Sequence, residues 1–272
     1  MMRNRLISFL SAVLLFLFLF FAGCSTKSSM DYGVFLGING DEIARLRGYK
    51  TVVIEPSEFQ ADQIQALHKA GTSVYGYINI GAIEEYGPYF DRFRALTLGV
   101  YENWEDERWV DVSSSLWQDF IVNNLGRQFA DLGLDGFFLD NADVYYHYPT
   151  EEIYQGLIKI LQGLKTYNIP LILNGGDTFV SRCLEEGIAM SLIDGINQET
   201  VFTSIDFDHG TYGKQSEEET AYFQDYLSKV RSAGLSVFLL EYRADKTLSK
   251  TIDAYCKENG FRWYNAPDLE LR

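Results

Sequence analysis

Several apolar runs in this chain end on a carboxylate or an amide. "TVVIE" ends on Glu55, "YIN" on Asn79, "GFFLD" on Asp140 with Asn141 next, and "LILN" on Asn174. Further on, "GINQE" ends on Gln198 with Glu199, "FLLEY" on Glu241 with Tyr242, and "RWYN" on Asn265. An unpaired charge is expensive to desolvate, so each such residue either has a structural partner or stands at an open end. For any one of them a satisfied hydrogen bond is an equal explanation; the set describes a polar ring on an apolar cup. The three histidines, His68, His147 and His209, avoid the ends of these runs, which argues against histidine-bound zinc. The chain has no G-x-S-x-G turn and no phosphate-binding glycine loop, and no cofactor is expected. Carboxylates, amides and aromatics remain, the groups that glycoside cleavage uses. One carboxyl protonates the leaving oxygen, and a second stabilises or attacks the anomeric carbon.

Such residues work together only if one end of one sheet collects them. The apolar runs begin at Tyr32, Thr51, Ser73, Gly136, Pro170, Gly195, Ser236 and Phe261, and most are apolar on both faces, as covered parallel strands are. Helical patterns separate them. Thr150 and Ser216 are expected N-caps ahead of acidic first turns, and Trp117, Phe120, Ile121 and Leu125 fall on one helix face. Eight strands alternating with helices predict a (β/α)8 TIM barrel rather than a doubly wound open sheet, with a truncated last unit because little follows Pro267. In such a barrel the C-terminal strand ends share one mouth. The stretch from Gly81 to Arg108, rich in aromatics and acids, is too long for a plain connection and is expected to cover the site.

The N-terminus belongs outside this fold. Arg3 and Arg5 precede an apolar run from Leu6 to Ala22, and "FAGCS" then resembles a bacterial lipobox with Cys24 as the lipidated residue. Residues 1–23 are read as a lipoprotein signal, 24–30 as the lipidated cysteine and a short linker, and 31–272 as the barrel. An uncleaved membrane anchor is the alternative, and both put the body outside the cytoplasm. Removing the signal takes away two arginines and no acid, so the formal charge moves from -15 to -17. That charge disfavours nucleic acid and suits a cationic ligand, although solubility alone would account for it. Cys183 and Cys256 allow one disulfide at most.

The segments "VVIEPSEF", "VYGYINIGAIEEY", "GLDGFFLDNADVY", "LILNGGD" and "GINQETVF" occur in this order. Together they resemble the family 114 glycoside hydrolases, of the endo-α-1,4-polygalactosaminidase type, from about Tyr32 to Asn265. The resemblance implies a (β/α)8 barrel with catalytic carboxylates on strands four and six, here Asp140 as nucleophile and Glu199 as acid/base. Glu241 is a rival acid/base, since strand seven carries one in many barrel glycosidases. Glu55, Tyr77, Asn79, Asn141, Asp143, Asn174, Gln198, Glu241 and Tyr242 are expected substrate contacts. After "YINIG" the family pattern continues with an acid and later an arginine, where this chain has Ala82 and Gly87. The implied partner is a cationic or neutral polysaccharide acted on by a monomer tethered to the membrane. A non-catalytic glycan-binding lipoprotein and a hydrolase of a different glycan are the competing readings.

Overall fold

A computed structural model describes residues 30–272 of the chain. The signal segment, Cys24 and all of the linker except Met30 lie outside the described residues. The first strand already begins at Met30.

Eight parallel strands form the barrel: β1 (Met30–Phe35), β2 (Tyr49–Ile54), β3 (Ser73–Asn79), β4 (Gly136–Asp140), β5 (Leu171–Asn174), β6 (Gly195–Glu199), β7 (Ser236–Tyr242) and β8 (Arg262–Ala266). Each lies within two residues of its expected start. Asn79 pairs with Asp140 and Asn174 with Asn197, which brings the polar strand ends to one level. Successive side chains alternate between the two faces of a strand. Phe137, Leu139, Leu171, Leu173 and Ile196 therefore pack outward with the helices, while Val53, Phe138, Ile172, Phe238 and Leu240 fill the barrel interior. This inner plug forms an apolar floor beneath the polar ring.

Helix Glu151–Lys165 starts where Thr150 accepts a hydrogen bond from the Ile153 amide, and Ser216 does the same for Glu217–Ser232. Each cap satisfies an amide that the first turn leaves without a partner. Trp117, Phe120 and Ile121 are buried as expected, although Phe120–Gly126 widens into a π-helix. Cys183 and Cys256 are buried free thiols. Among the described residues no helix is long and apolar enough to cross a membrane.

Among the described residues no helix follows β8. β1 and β8 lie side by side without a shared ladder, and Tyr264 fills the seam against Phe35 at 5.3 Å and Tyr49 at 6.3 Å. After β8 the backbone crosses the rim. The Gly37 amide donates to the Leu271 carbonyl at 3.2 Å, and Leu269 and Leu271 line the mouth.

Two insertions rise from the same rim. After β3 a three-stranded antiparallel sheet forms from Ala82–Glu84, Thr97–Tyr101 and Trp104–Val110. After β6 a hairpin pairs Thr203–Asp206 with Thr211–Lys214, an element absent from the sequence reading.

Gly81 shows why "YINIG" ends in glycine. The Ile80 amide donates to the Asp140 carbonyl at 3.0 Å, which ties the exits of β3 and β4 together. A Cβ on Gly81 would stand 1.9 Å from the Asn141 carbonyl oxygen, so only hydrogen fits there. Gly81→Ala is expected to lose about 3 kcal/mol of stability, since backbone must move to admit the methyl. Urea unfolding checks this, and a loss below about 1 kcal/mol would mean that the contact is soft.

Candidate active site

The period of two decides which strand-end residues meet. Asp140, Asn174, Glu199 and Tyr242 share the inward face with Phe138, Ile172, Asn197 and Leu240. They converge in a cavity of about 590 Å³ that also exposes Glu55, Tyr77, Asn141 and Asp143.

At its centre Asn174 Nδ2 donates to Asp140 Oδ1 and to Glu199 Oε1, each at 2.8 Å. Asn197 holds that amide in register, with Nδ2 donating to Asn174 Oδ1 at 2.6 Å, and the Tyr32 hydroxyl donates to Asn197 Oδ1 at 3.0 Å. The second oxygen of each acid takes a tyrosine hydroxyl. Tyr77 donates to Asp140 Oδ2 at 2.9 Å, and Tyr242 donates to Glu199 Oε2 at 2.6 Å. Both acids thus have fixed partners and still reach the cavity.

The chain leaves β4 to β7 through left-handed residues: Asn141 at φ 68°, Gly175 at 62°, Thr200 at 54° and Arg243 at 50°. Each turns the backbone away directly after its inward residue. For Thr200 this is a real cost, since branching at Cβ disfavours positive φ.

Three expected substrate contacts do not line the cavity. Gln198 has outward parity and is buried, with only its Nε2 paired, to the Glu199 carbonyl at 3.3 Å. Glu241 is also outward and fully buried. It accepts from the Phe202 amide, and from the Thr203 amide and hydroxyl, and so fixes the loop after β6. This geometry removes the rival acid/base from the cleft. Asn79 serves the insertion, with Nδ2 donating to Glu107 at 2.7 Å and Oδ1 accepting from the Ala82 amide at 2.8 Å. Glu55 reaches the cavity while capping a short turn through the Ser57 amide and hydroxyl.

The insertions supply lining residues that had not been singled out. Glu84, Tyr86, Tyr101, Trp104 and Glu107 come from the insertion after β3, and Ile205 and Phe207 from the hairpin after β6. The Trp104 and Phe207 rings meet at 6.4 Å across the mouth. The alternation in "YENWEDERW" and the glycine turn in "DFDHGTYG" were the available signals.

Six carboxylates line this cavity, Glu55, Glu84, Glu107, Asp140, Asp143 and Glu199, with no basic residue among the described ones. Burial raises the pKa of Asp140, opposed by hydrogen bonds from Asn174, Tyr77 and the Asn141 amide. Burial also raises Glu199, and the charge of Asp140 raises it further. Glu107 is pushed up to about 7 by burial and then by Glu84 and Asp140. Asp143 is pushed up to about 7 by burial and by Asp140, although the Gly176 amide donates to it at 3.0 Å. Among the described residues no three His, Cys, Asp or Glu side chains converge to hold a metal ion.

The profile of glycoside-hydrolase family GH114 matches residues 26–266, and the chain belongs to that family. It is therefore a glycosidase. An uncharacterized protein of Thermotoga maritima is 24% identical over 261 residues, spanning 86% of this chain and 77% of that protein. The glycoside hydrolase domain of PelA from Pseudomonas aeruginosa superposes with a TM-score of 0.76 at 14% identity, covering 89% of this chain and 95% of that one. Aspergillus fumigatus Ega3, solved in complex with galactosamine, gives 0.68 at 14% identity, covering 90% and 93%. At these identities the two structures establish a shared fold.

The raised carboxyls make stability depend on pH with a definite sign. Unfolded glutamate and aspartate ionise near pH 4.3 and 3.9, whereas burial lets folded Glu107, Asp143 and Glu241 keep their protons to about 7. In that window the folded state binds more protons, so their contribution is full below about pH 4 and is lost as pH rises to about 7. The midpoint of thermal unfolding should be several degrees higher at pH 5 than at pH 7.5, and Glu107→Gln should flatten the slope. A midpoint that is level or rises over this range would mean that these acids are ionised throughout.

Proposed function

We propose that this member of glycoside-hydrolase family GH114 cleaves galactosamine-containing, α-1,4-linked polysaccharide outside the cytoplasm. Asp140 acts as nucleophile, Glu199 as acid/base, and attack falls within the polymer. The shared amide of Asn174 carries the reading. Two oxygens each 2.8 Å from one nitrogen stand no more than about 5.6 Å apart. As a bound on the nearest oxygens, it supports the separation of about 5–5.5 Å used by retaining enzymes over the 6.5–9.5 Å or so of inverting ones.

The chemistry follows from the unequal surroundings of the two acids. Burial raises both acids, but three donors oppose it at Asp140 and two at Glu199, so Asp140 is the better placed to keep a charge and Glu199 a proton. Asp140 forms a bond to the anomeric carbon as the glycosidic C–O bond breaks, and Glu199 delivers its proton to the leaving oxygen. Glu199, now ionised, takes a proton from water. The water oxygen displaces Asp140 from the same carbon, which returns both groups to their starting states with the anomeric configuration retained.

The acidic lining supports a cationic substrate, because an ammonium group supplies the charge that the buried carboxylates lack. Galactosamine is the sugar bound in the Ega3 structure, and that chemistry is consistent with this lining. Tyr86, Trp104 and Phe207 offer exposed aromatic faces for sugar rings.

Asp140→Asn and Glu199→Gln should each lower turnover on galactosamine oligomers by several orders of magnitude without unfolding the chain. An aryl glycoside with a good leaving group needs no proton, so it should partly rescue the first step in Glu199→Gln and not in Asp140→Asn. NMR of the first-formed wild-type product should find the α anomer. Near-normal rates in Asp140→Asn, or the β anomer first, would sink the mechanism.

Lipidation of Cys24 would hold the barrel close to the membrane, because the six residues from Ser25 to Met30 span at most about 20 Å. A fatty-acid analogue should label wild-type cells and leave Cys24→Ser unlabelled; equal labelling of both would exclude this tether.

A further inference from the structure

A second cavity, of about 510 Å³, opens at the same rim beyond the ends of β4 and β5. It shares Tyr101 and Asp143 with the catalytic cleft, so the two hollows lie side by side with one ring and one carboxylate between them. The dividing ring is fixed. Tyr101 stacks on Trp109 at 4.3 Å, and Trp109 packs in turn on His147 at 4.6 Å.

The direction of the cleft follows from what closes its other side. Towards β8 and β1 the catalytic cleft ends in Val34, Leu36, Leu269 and Leu271, which offer nothing to a hydroxyl or an amine. Towards Asp143 it runs into a chamber with exposed aromatic faces and further acids. Tyr146 and Tyr222 are 64% and 51% exposed while lining a concave surface. Tyr222 donates its hydroxyl to Asp177, and Glu219 stands on the same helix wall. A flat aromatic face beside carboxylates is what a cationic sugar needs: stacking for the ring and charge for the ammonium.

We propose that the second cavity binds a further amino-sugar unit of the chain being cleaved. The Tyr222 face takes its ring, Asp177 and Asp143 take its ammonium, and Tyr101 stands at the threshold. The inference rests on the reading that the substrate is a galactosamine-containing polymer. It makes Tyr222 and Asp177 determinants of preference for long, deacetylated substrate, with no part in breaking the bond.

The test measures kcat/KM on galactosamine oligomers of increasing length, on their N-acetylated counterparts and on an aryl glycoside. In wild type the value should climb with length until the second cavity is filled. Tyr222→Ala and Asp177→Asn should each reduce it about tenfold more on the long oligomers than on the aryl glycoside. Asp177→Asn, which keeps the Tyr222 hydrogen bond possible, should cost more on deacetylated oligomers than on acetylated ones. Equal losses on long oligomers and aryl glycoside would mean a structural role, and no selective loss would mean no site; either overturns the proposal. Calorimetric binding of the same oligomers to Glu199→Gln, with and without Tyr222→Ala, separates the site from the activity. A protein that cleaves none of them, yet binds long ones more tightly through Tyr222, keeps the site and loses the proposed substrate. One that cleaves them with no gain from length in rate or binding keeps the substrate and loses the site.

Discussion

The amide of Asn174, given to Asp140 and Glu199 at once, is the contact on which the site depends. Two carboxylates brought this close would repel, and in a partly desolvated cleft one of them would recover its proton. One nitrogen with two hydrogens lets them stand near each other, because each receives a donor and the nitrogen sets their spacing. The amide cannot turn, since its oxygen is held by Asn197 and Asn197 by Tyr32. Tyr32 stands on β1, Asn197 on β6 and Asn174 on β5, so the orientation of one amide depends on the barrel being closed around it. A polar network with every member satisfied is rigid, and a rigid pair of acids suits a reaction in which both act on one carbon.

Local conformation serves the same end. The left-handed residues after β4, β6 and β7 each cost on the order of 1–3 kcal/mol where glycine is absent. Backbone hydrogen bonds to the next strand hold them: the Thr200 amide to Leu240 at 3.0 Å and the Arg243 amide to Ala266 at 2.9 Å. Glu241 belongs to this scaffold. Fully buried and bonded to the loop that follows Glu199, it anchors the turn carrying that acid from behind. Glu241 holds shape from behind while Asp140 and Glu199 face the cleft, though all three are carboxylates at strand ends.

The insertions set what can approach. Both rise from the rim and meet through Trp104 and Phe207, bringing acids and rings over a floor of apolar side chains. Their charge is unbalanced, which favours protonated carboxyls in the free protein and ionised ones beside a cation. Substrate charge and protonation of the cleft are therefore coupled.

Much of this was already determined by the sequence. Eight apolar runs, seven of them ending on polar residues, specify the barrel and its working rim, because strand burial and strand length are local properties that composition records. Asp140 stood out because the run it ends is otherwise apolar, whereas Glu199, which ends the polar "NQE", was marked out from Glu241 only by the family resemblance. Alternation along β6 and β7 was legible too: inward Asn197 and Leu240 leave Gln198 and Glu241 facing out, which listing strand ends alone overlooked. Tertiary structure alone decided the rest. That one amide would serve two acids depends on the neighbouring registers of β4, β5 and β6, and no spacing along the chain encodes a distance between strands. Glu107, Tyr101 and Trp104 lie far from the catalytic acids in sequence and enter the site only because their sheet folds back over the mouth. The second cavity exists for the same reason, since its walls come from four separate segments that only the closed barrel sets side by side.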